Sequence, residues 1–169
     1  MSTNLQFIKS VSGASVTSLS VTNCFSSAYD VYAVTVDIDK CGSSGDWAFL
    51  RFIDSGGSVI SDAEYDWASL SMFDYTGFTE EKGGGQSSIS RIQFVKSNGG
   101  GGNTFLNIFN PNDSSSFTFT QHKSSMGTAG QLIASKVIGI HRVAEQITGL
   151  SIVLTQTMNN IKISIYGVN

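Results

Sequence analysis

The sequence predicts an all-β protein, an antiparallel β-sandwich of jelly-roll type with about ten short strands and little or no helix. Residue choice is the first observation behind this. Ile (15) outnumbers Leu (8), Ile, Val and Thr together number 40, and Glu and Lys, two of the better helix formers, number 4 and 7. β-branched side chains are stiff at their first torsion and suit a pleated, half-buried surface better than a helix. Alternation is the second observation. Tyr32, Val34, Val36 and Ile38 share one phase, with Val31, Ala33, Thr35 and Asp37 in the other, and Ile161, Ile163 and Ile165 alternate with Lys162, Ser164 and Tyr166. A period of two places one set on a buried sheet face. The third is punctuation: Gly, Ser, Asn and Asp clusters separate the apolar runs, and the single proline, Pro111, sits in the turn-like Asn110-Pro111-Asn112-Asp113.

In chain order, these criteria mark strands over residues 5–11, 16–21, 31–38, 47–54, 65–75, 89–95, 104–109, 116–121, 131–141, 147–155 and 161–166. Residues 61–73 also carry a helical spacing, Ala63, Trp67 and Leu70, but the alternation of Tyr65, Trp67, Ser69, Ser71 and Phe73 favours a strand. Residues 143–146 allow one helical turn. Surface loops are expected at 41–46, at 82–88 with Gly83-Gly84-Gly85, and at 98–103 with four glycines, Gly99 to Gly102, the last two flanking the 89–95 strand. No fixed-period repeat is present. A length of 169 residues sets one domain, 1–169, with a short N-terminal arm over about residues 1–12.

Composition excludes several functions. A net charge of −3 argues against a nucleic-acid partner. No apolar run approaches the roughly 18 residues of a membrane span. The start, Met1-Ser2-Thr3-Asn4, lacks a signal-peptide pattern. Cys24 and Cys41 are not spaced with His122 and His141 as zinc ligands and are expected as reduced, partly buried thiols, a disulfide requiring an oxidising compartment. The glycine runs lack the Gly-Lys-Ser/Thr of a phosphate loop, and no Gly-x-Ser-x-Gly elbow is present. No catalytic residue and no cofactor are assigned. Asp30, Asp37 and Asp39 are weak candidates for a cation site or a catalytic carboxylate pair, and Asp62, Glu64 and Asp66 form a second acidic set on one strand face. Trp47, Trp67 and Tyr75 are the rings that would stack on sugars if exposed, and would fill core or interface space otherwise.

Two segments carry a resemblance. Phe25-Ser26-Ser27-Ala28-Tyr29-Asp30-Val31-Tyr32 leads into the strand at 33–38, and Ile147-Thr148-Gly149-Leu150 is followed by Ile161-Lys162-Ile163-Ser164-Ile165-Tyr166-Gly167-Val168. This resembles a group of virion proteins of tailed bacteriophages, with an early F-s-s-x-Y-D-x-Y element and a C-terminal I-T-G-I… I-x-I-Y-G-I strand pair. One departure is Met158-Asn159-Asn160, where the group has a Ser/Gly-rich hairpin. The resemblance implies a β-sandwich on the exterior of the virion, as a capsid decoration (cement) protein, a head fibre or a tail-fibre component. Its partners would be the major capsid protein or other virion proteins, or itself as a trimer. For a cement role the contact candidates are Ser2, Leu5, Phe7, Gly84 and Gly100. A tail location would make it a module for a host-surface glycan. A cation-dependent hydrolase is the remote alternative.

Overall fold

A computed structural model describes residues 4–42 and 45–169. The chain is all-β, without helix among the described residues. Its strands are β1 (Leu5–Val21), β2 (Val31–Ile38), β3 (Asp46–Trp47), β4 (Phe49–Asp54), β5 (Tyr65–Phe73), β6 (Gly77–Gln86), β7 (Phe94–Val95), β8 (Gly102–Phe109), β9 (Thr118–Thr128), β10 (Gln131–His141) and β11 (Ile147–Val168). One large antiparallel sheet runs β1-β11-β2-β8-β9-β10-β5-β6, with β4 also paired to β11, and β3 pairs β7 separately.

The two longest strands turn this sheet into a sandwich. The second half of β11 lies between β1 and β2, with Ile163 opposite both Val11 and Val36. Its first half lies between the end of β1 and β4, with Leu150 opposite Val21 and Phe52. Between these halves the β1 register shifts, from Val16↔Met158 to Ser18↔Val153, and Ser15 adopts a left-handed φ of 55°. Such an irregularity bends a strand, carrying β1 and β11 from one layer into the other. The core lies between the layers, built from Tyr32, Val34, Val36 and Ile38 of β2, Leu50 and Phe52 of β4, Leu106 and Ile108 of β8, and the isoleucines of β11.

Several expectations change. Residues 5–11 and 16–21 are one strand, so from Leu5 onward the expected N-terminal arm is the outer half of β1, bonded to the chain's C-terminal strand. Residues 147–155 and 161–166 are likewise one strand, because Met158 is buried and continues the ladder, bridging Cys41, where a hairpin would have turned away. The 47–54 segment divides into β3 and β4. Residues 82–86, read as a glycine loop, form the end of β6, an edge strand. Gly83 stands opposite Trp67, and a Cβ there would lie 2.7 Å from the indole nitrogen, so glycine lets the ring lie against the edge backbone. The loop expected at 41–46 includes residues 43 and 44, which lie outside the described residues.

The largest change is at 89–95, of which only Phe94–Val95 is strand. Ile92 and Gln93, adjacent in sequence, are both fully buried, and Arg91 has a φ of 66°, so alternation fails. The segment crosses the inner face of the large sheet as irregular chain; the Ile89 and Gln93 carbonyls accept the N–H groups of Leu50 and Ala48, and those of Arg91 and Ile92 need side-chain donors. Ser135 Oγ donates to the Arg91 carbonyl (3.1 Å), which the His122 ring also meets (Nε2, 3.3 Å), and Thr104 Oγ1 donates to that of Ile92 (2.7 Å). Gln93 Nε2 reaches the Ile38 carbonyl (3.1 Å). The inward His122 thus has a carbonyl to meet and Ser124 a partner in Ser135, on the face of β9 opposite the exposed Phe119.

Candidate functional site

The resemblance segments meet in space and act on the fold. Phe25 and Tyr32 pack edge to face with centroids 4.7 Å apart. The Tyr32 hydroxyl accepts from the Ser26 N–H (2.7 Å) and donates to the Ser26 carbonyl (2.8 Å), pinning the turn that enters β2. Tyr29 lies over Gly167, where a Cβ would come within 2.6 Å of its ring, and its hydroxyl donates to Gln6 (2.6 Å). Gly149 presses on the Val21 carbonyl, which a Cβ would approach to 2.3 Å. The Thr148 carbonyl accepts the N–H groups of Cys24 (2.9 Å) and Phe25 (3.3 Å). These residues lock the 25–32 segment onto both parts of β11, so the shared pattern is one of chain geometry.

The surface best shaped to receive a partner is the outer face of the large sheet. Strand register aligns Phe105 of β8 with Lys123, Lys136, Leu70 and Glu80 across β9, β10, β5 and β6. The next row aligns Asn107, Gln121, Ile138, Ala68 and Lys82. Together these rows line an open groove of about 770 Å³. Ile138 is 60% and Phe105 48% exposed, and Phe119 extends the apolar strip at 42%. Amides, lysines and a glutamate therefore frame exposed apolar side chains in one continuous strip, with no other element among the described residues laid over them. Sequence reasoning missed this face because in β9 and β10 both phases carry apolar residues. Its one signal was the phase of Phe117 and Phe119 against a polar Thr-x-Thr-x-His partner phase.

The residues singled out from sequence scatter. Asp37 and Asp39 line a second hollow of about 660 Å³ with Gly100, Asn103 and Lys162. Asp37 stands opposite Lys162 and Asn103 in the ladder. Asp30 precedes the other end of β2, roughly 23 Å away at strand rise, and does not join them. Trp47 packs on Phe94 at 5.0 Å with the Arg91 guanidinium 4.6 Å from its ring, and Arg91 also pairs with Glu81. Trp67 packs against the core, and Tyr75 is exposed at the β5–β6 turn beside Phe73. Leu5 and Phe7 are exposed on β1, one edge of the large sheet, and Gly84 is on β6, the other edge. Gly100 donates its N–H to the Gly127 carbonyl (2.7 Å), and Ser2 lies outside the described residues. Cys24 and Cys41 are buried thiols without a disulfide, and burial pushes the Cys24 thiol up to about 12. His122 is held neutral, its pKa lowered to about 4 by burial. No helix among the described residues is long and apolar enough to cross a membrane.

No protein-family model matches the chain. No curated protein matches it in sequence. Among solved structures, it is similar to exo-inulinase from Aspergillus awamori, at 11% identity and a TM-score of 0.37, over 98% of this chain and 29% of that one. It thus spans about three-tenths of the inulinase's length. The CBM2 module of the evolved Dit of Lactobacillus casei BL23 phage J-1 aligns at 13% identity and a TM-score of 0.23, over 90% of this chain and 70% of that one. The VP2 subviral particle of infectious bursal disease virus aligns at 6% identity and a TM-score of 0.16, over 98% and 41%. Likeness at these levels carries no argument about function; the chain's own geometry has to supply it.

Proposed function

We propose that this chain is a non-catalytic structural and binding protein on the exterior of a tailed-phage particle, and that it docks through the outer face of its large sheet. The observation that carries this reading is the groove where Phe105 and Ile138 stand exposed among Asn107, Gln121, Lys123, Lys136 and Glu80. An apolar centre with a polar, charged rim is the anatomy of a protein contact surface. The sequence resemblance to virion proteins supports the location. As a capsid decoration protein the chain would seat this face on the shell, and the open edges of β1 and β6 would meet neighbouring copies or capsomers. Burial spread over many copies would then resist internal pressure without any single strong contact.

A second reading, a glycan-binding module of the tail, draws on the same face. Asn107 and Gln121 stand opposite each other beside Phe105, and paired amides next to an exposed ring suit the hydroxyls and the apolar face of a sugar. Cryo-electron microscopy of the intact particle tests the proposal. Regular lattice positions with the β8–β9–β10 face against the shell are expected. Copies confined to the tail with that face outward would replace the decoration role by glycan recognition. Absence from the particle overturns both.

A further inference from the structure

We propose that Glu64, His141 and Glu145 form a binding site for one zinc-class divalent cation, independent of the sheet face that the docking reading uses. The fold assembles the three from separate stretches. Tyr65 at the start of β5 pairs with His141 at the end of β10, and Arg142 N–H continues the ladder to the Glu64 carbonyl (2.8 Å). This places the Glu64 side chain beside the imidazole, and the chain leading to β11 returns Glu145 to the same point. His141 Nε2 lies 3.1 Å from Glu64 Oε2 and 3.6 Å from Glu145 Oε1. All three ligand atoms fall within 4.8 Å of one another. With zinc bonds of about 2.0–2.1 Å, atoms of a tetrahedral set stand about 3.3 Å apart. The two measured edges bracket that value.

The surroundings favour a cation. His141 has no exposed side-chain surface, and its ring is held by Tyr65 (5.0 Å) and Phe52 (6.1 Å), with Nε2 turned to the carboxylates. Its Nδ1 is buried without a partner, so the ring is oriented by packing and by the Nε2 contact with Glu64. The nearby Arg142 is engaged elsewhere, with Nε 3.1 Å from Asp66 and Nη2 donating to the Ala63 carbonyl (3.0 Å). Two carboxylates thus converge on a fixed imidazole nitrogen. One imidazole with two carboxylates suits zinc and its first-row neighbours, whereas calcium takes six or more oxygens. Both glutamates are about one-third exposed, which leaves the fourth position open to water.

The sequence concealed this set. Glu64 reads as one of three alternating surface acids, 77 residues before His141. The test uses the full chain, stripped with EDTA and titrated with zinc chloride by calorimetry and thermal melting. One zinc per chain and a raised melting temperature are expected, with calcium producing neither. Glu145→Gln changes a partly exposed residue and so keeps the fold. It is expected to weaken zinc binding tenfold or more, on the order of what losing even an outer-shell partner costs. Cobalt substitution supplies a visible absorption band that the same variant abolishes. Absence of binding at millimolar zinc overturns the proposal. So does binding that survives both Glu64→Gln and Glu145→Gln.

Discussion

Acidification should unfold this protein through His122. The residue lies on the inner face of β9, opposite Leu106 and Val137, with Nε2 near the Arg91 carbonyl and Nδ1 without a partner. A neutral ring donates from Nε2 to that carbonyl. A protonated ring would place a charge and an unsatisfied Nδ1–H in the core. Burial accordingly lowers the folded pKa from 6.5 to about 4. Between these values the unfolded chain binds a proton that the folded chain refuses, so stability falls as pH falls through that window. Two and a half units at 1.36 kcal/mol each amount to about 3 kcal/mol lost by pH 4, a large share of a typical domain's stability. The assay is urea unfolding of wild type and His122→Gln at pH 7 and pH 4, followed by tryptophan fluorescence. Gln keeps a donor for the Arg91 carbonyl and cannot take up a proton. The gap between the two proteins should therefore shift in favour of the variant by about 3 kcal/mol at the lower pH. Every other ionisable group is common to both proteins and cancels. Parallel stability curves would refute the reasoning. So would an NMR titration placing the His122 midpoint near 6.5.

Two further outcomes follow from packing. Gly149→Ala should cost about 3 kcal/mol or more in urea unfolding, because its Cβ would meet the Val21 backbone carbonyl at 2.3 Å, whereas Gly167→Ala should cost about 1 kcal/mol, because the Tyr29 side chain can move aside. Cys24, buried with its thiol raised to about 12, should resist iodoacetamide in the native state and react once urea exposes it; native labelling at the rate of a free thiol would contradict the burial.

Most of the fold was legible because period-two patterning is a local property. Strand β2 has the bounds that alternation predicted, since its Tyr32, Val34, Val36 and Ile38 phase is buried along its length. The failures came where a segment's state depends on distant chain. Residues 89–95 look like a strand because Ile92 and Phe94 alternate with polar neighbours. They become irregular because Ile89, Ile92 and Gln93 bond the backbone of Leu50 and Ala48 while the Arg91 and Ile92 carbonyls turn to side-chain donors of β8, β9 and β10. Residues 83–85 read as a surface loop and become part of an edge strand, where Gly83 lets the Trp67 ring lie against a backbone without a side chain.

By itself the sequence determined the class: β-branched residues, alternation and turn chemistry act within a few residues, and they allow little besides a sandwich. It also contained the Tyr29, Tyr32, Gly149 and Gly167 pattern, whose meaning is the locking of a turn onto β11. Only the tertiary structure decided which sheet face stays open, because a strand with apolar residues in both phases does not say which one the core will take. Only it decided which charged groups converge. Glu64 and His141 are 77 residues apart, and the antiparallel register of β5 and β10 alone puts their side chains within a hydrogen bond's reach.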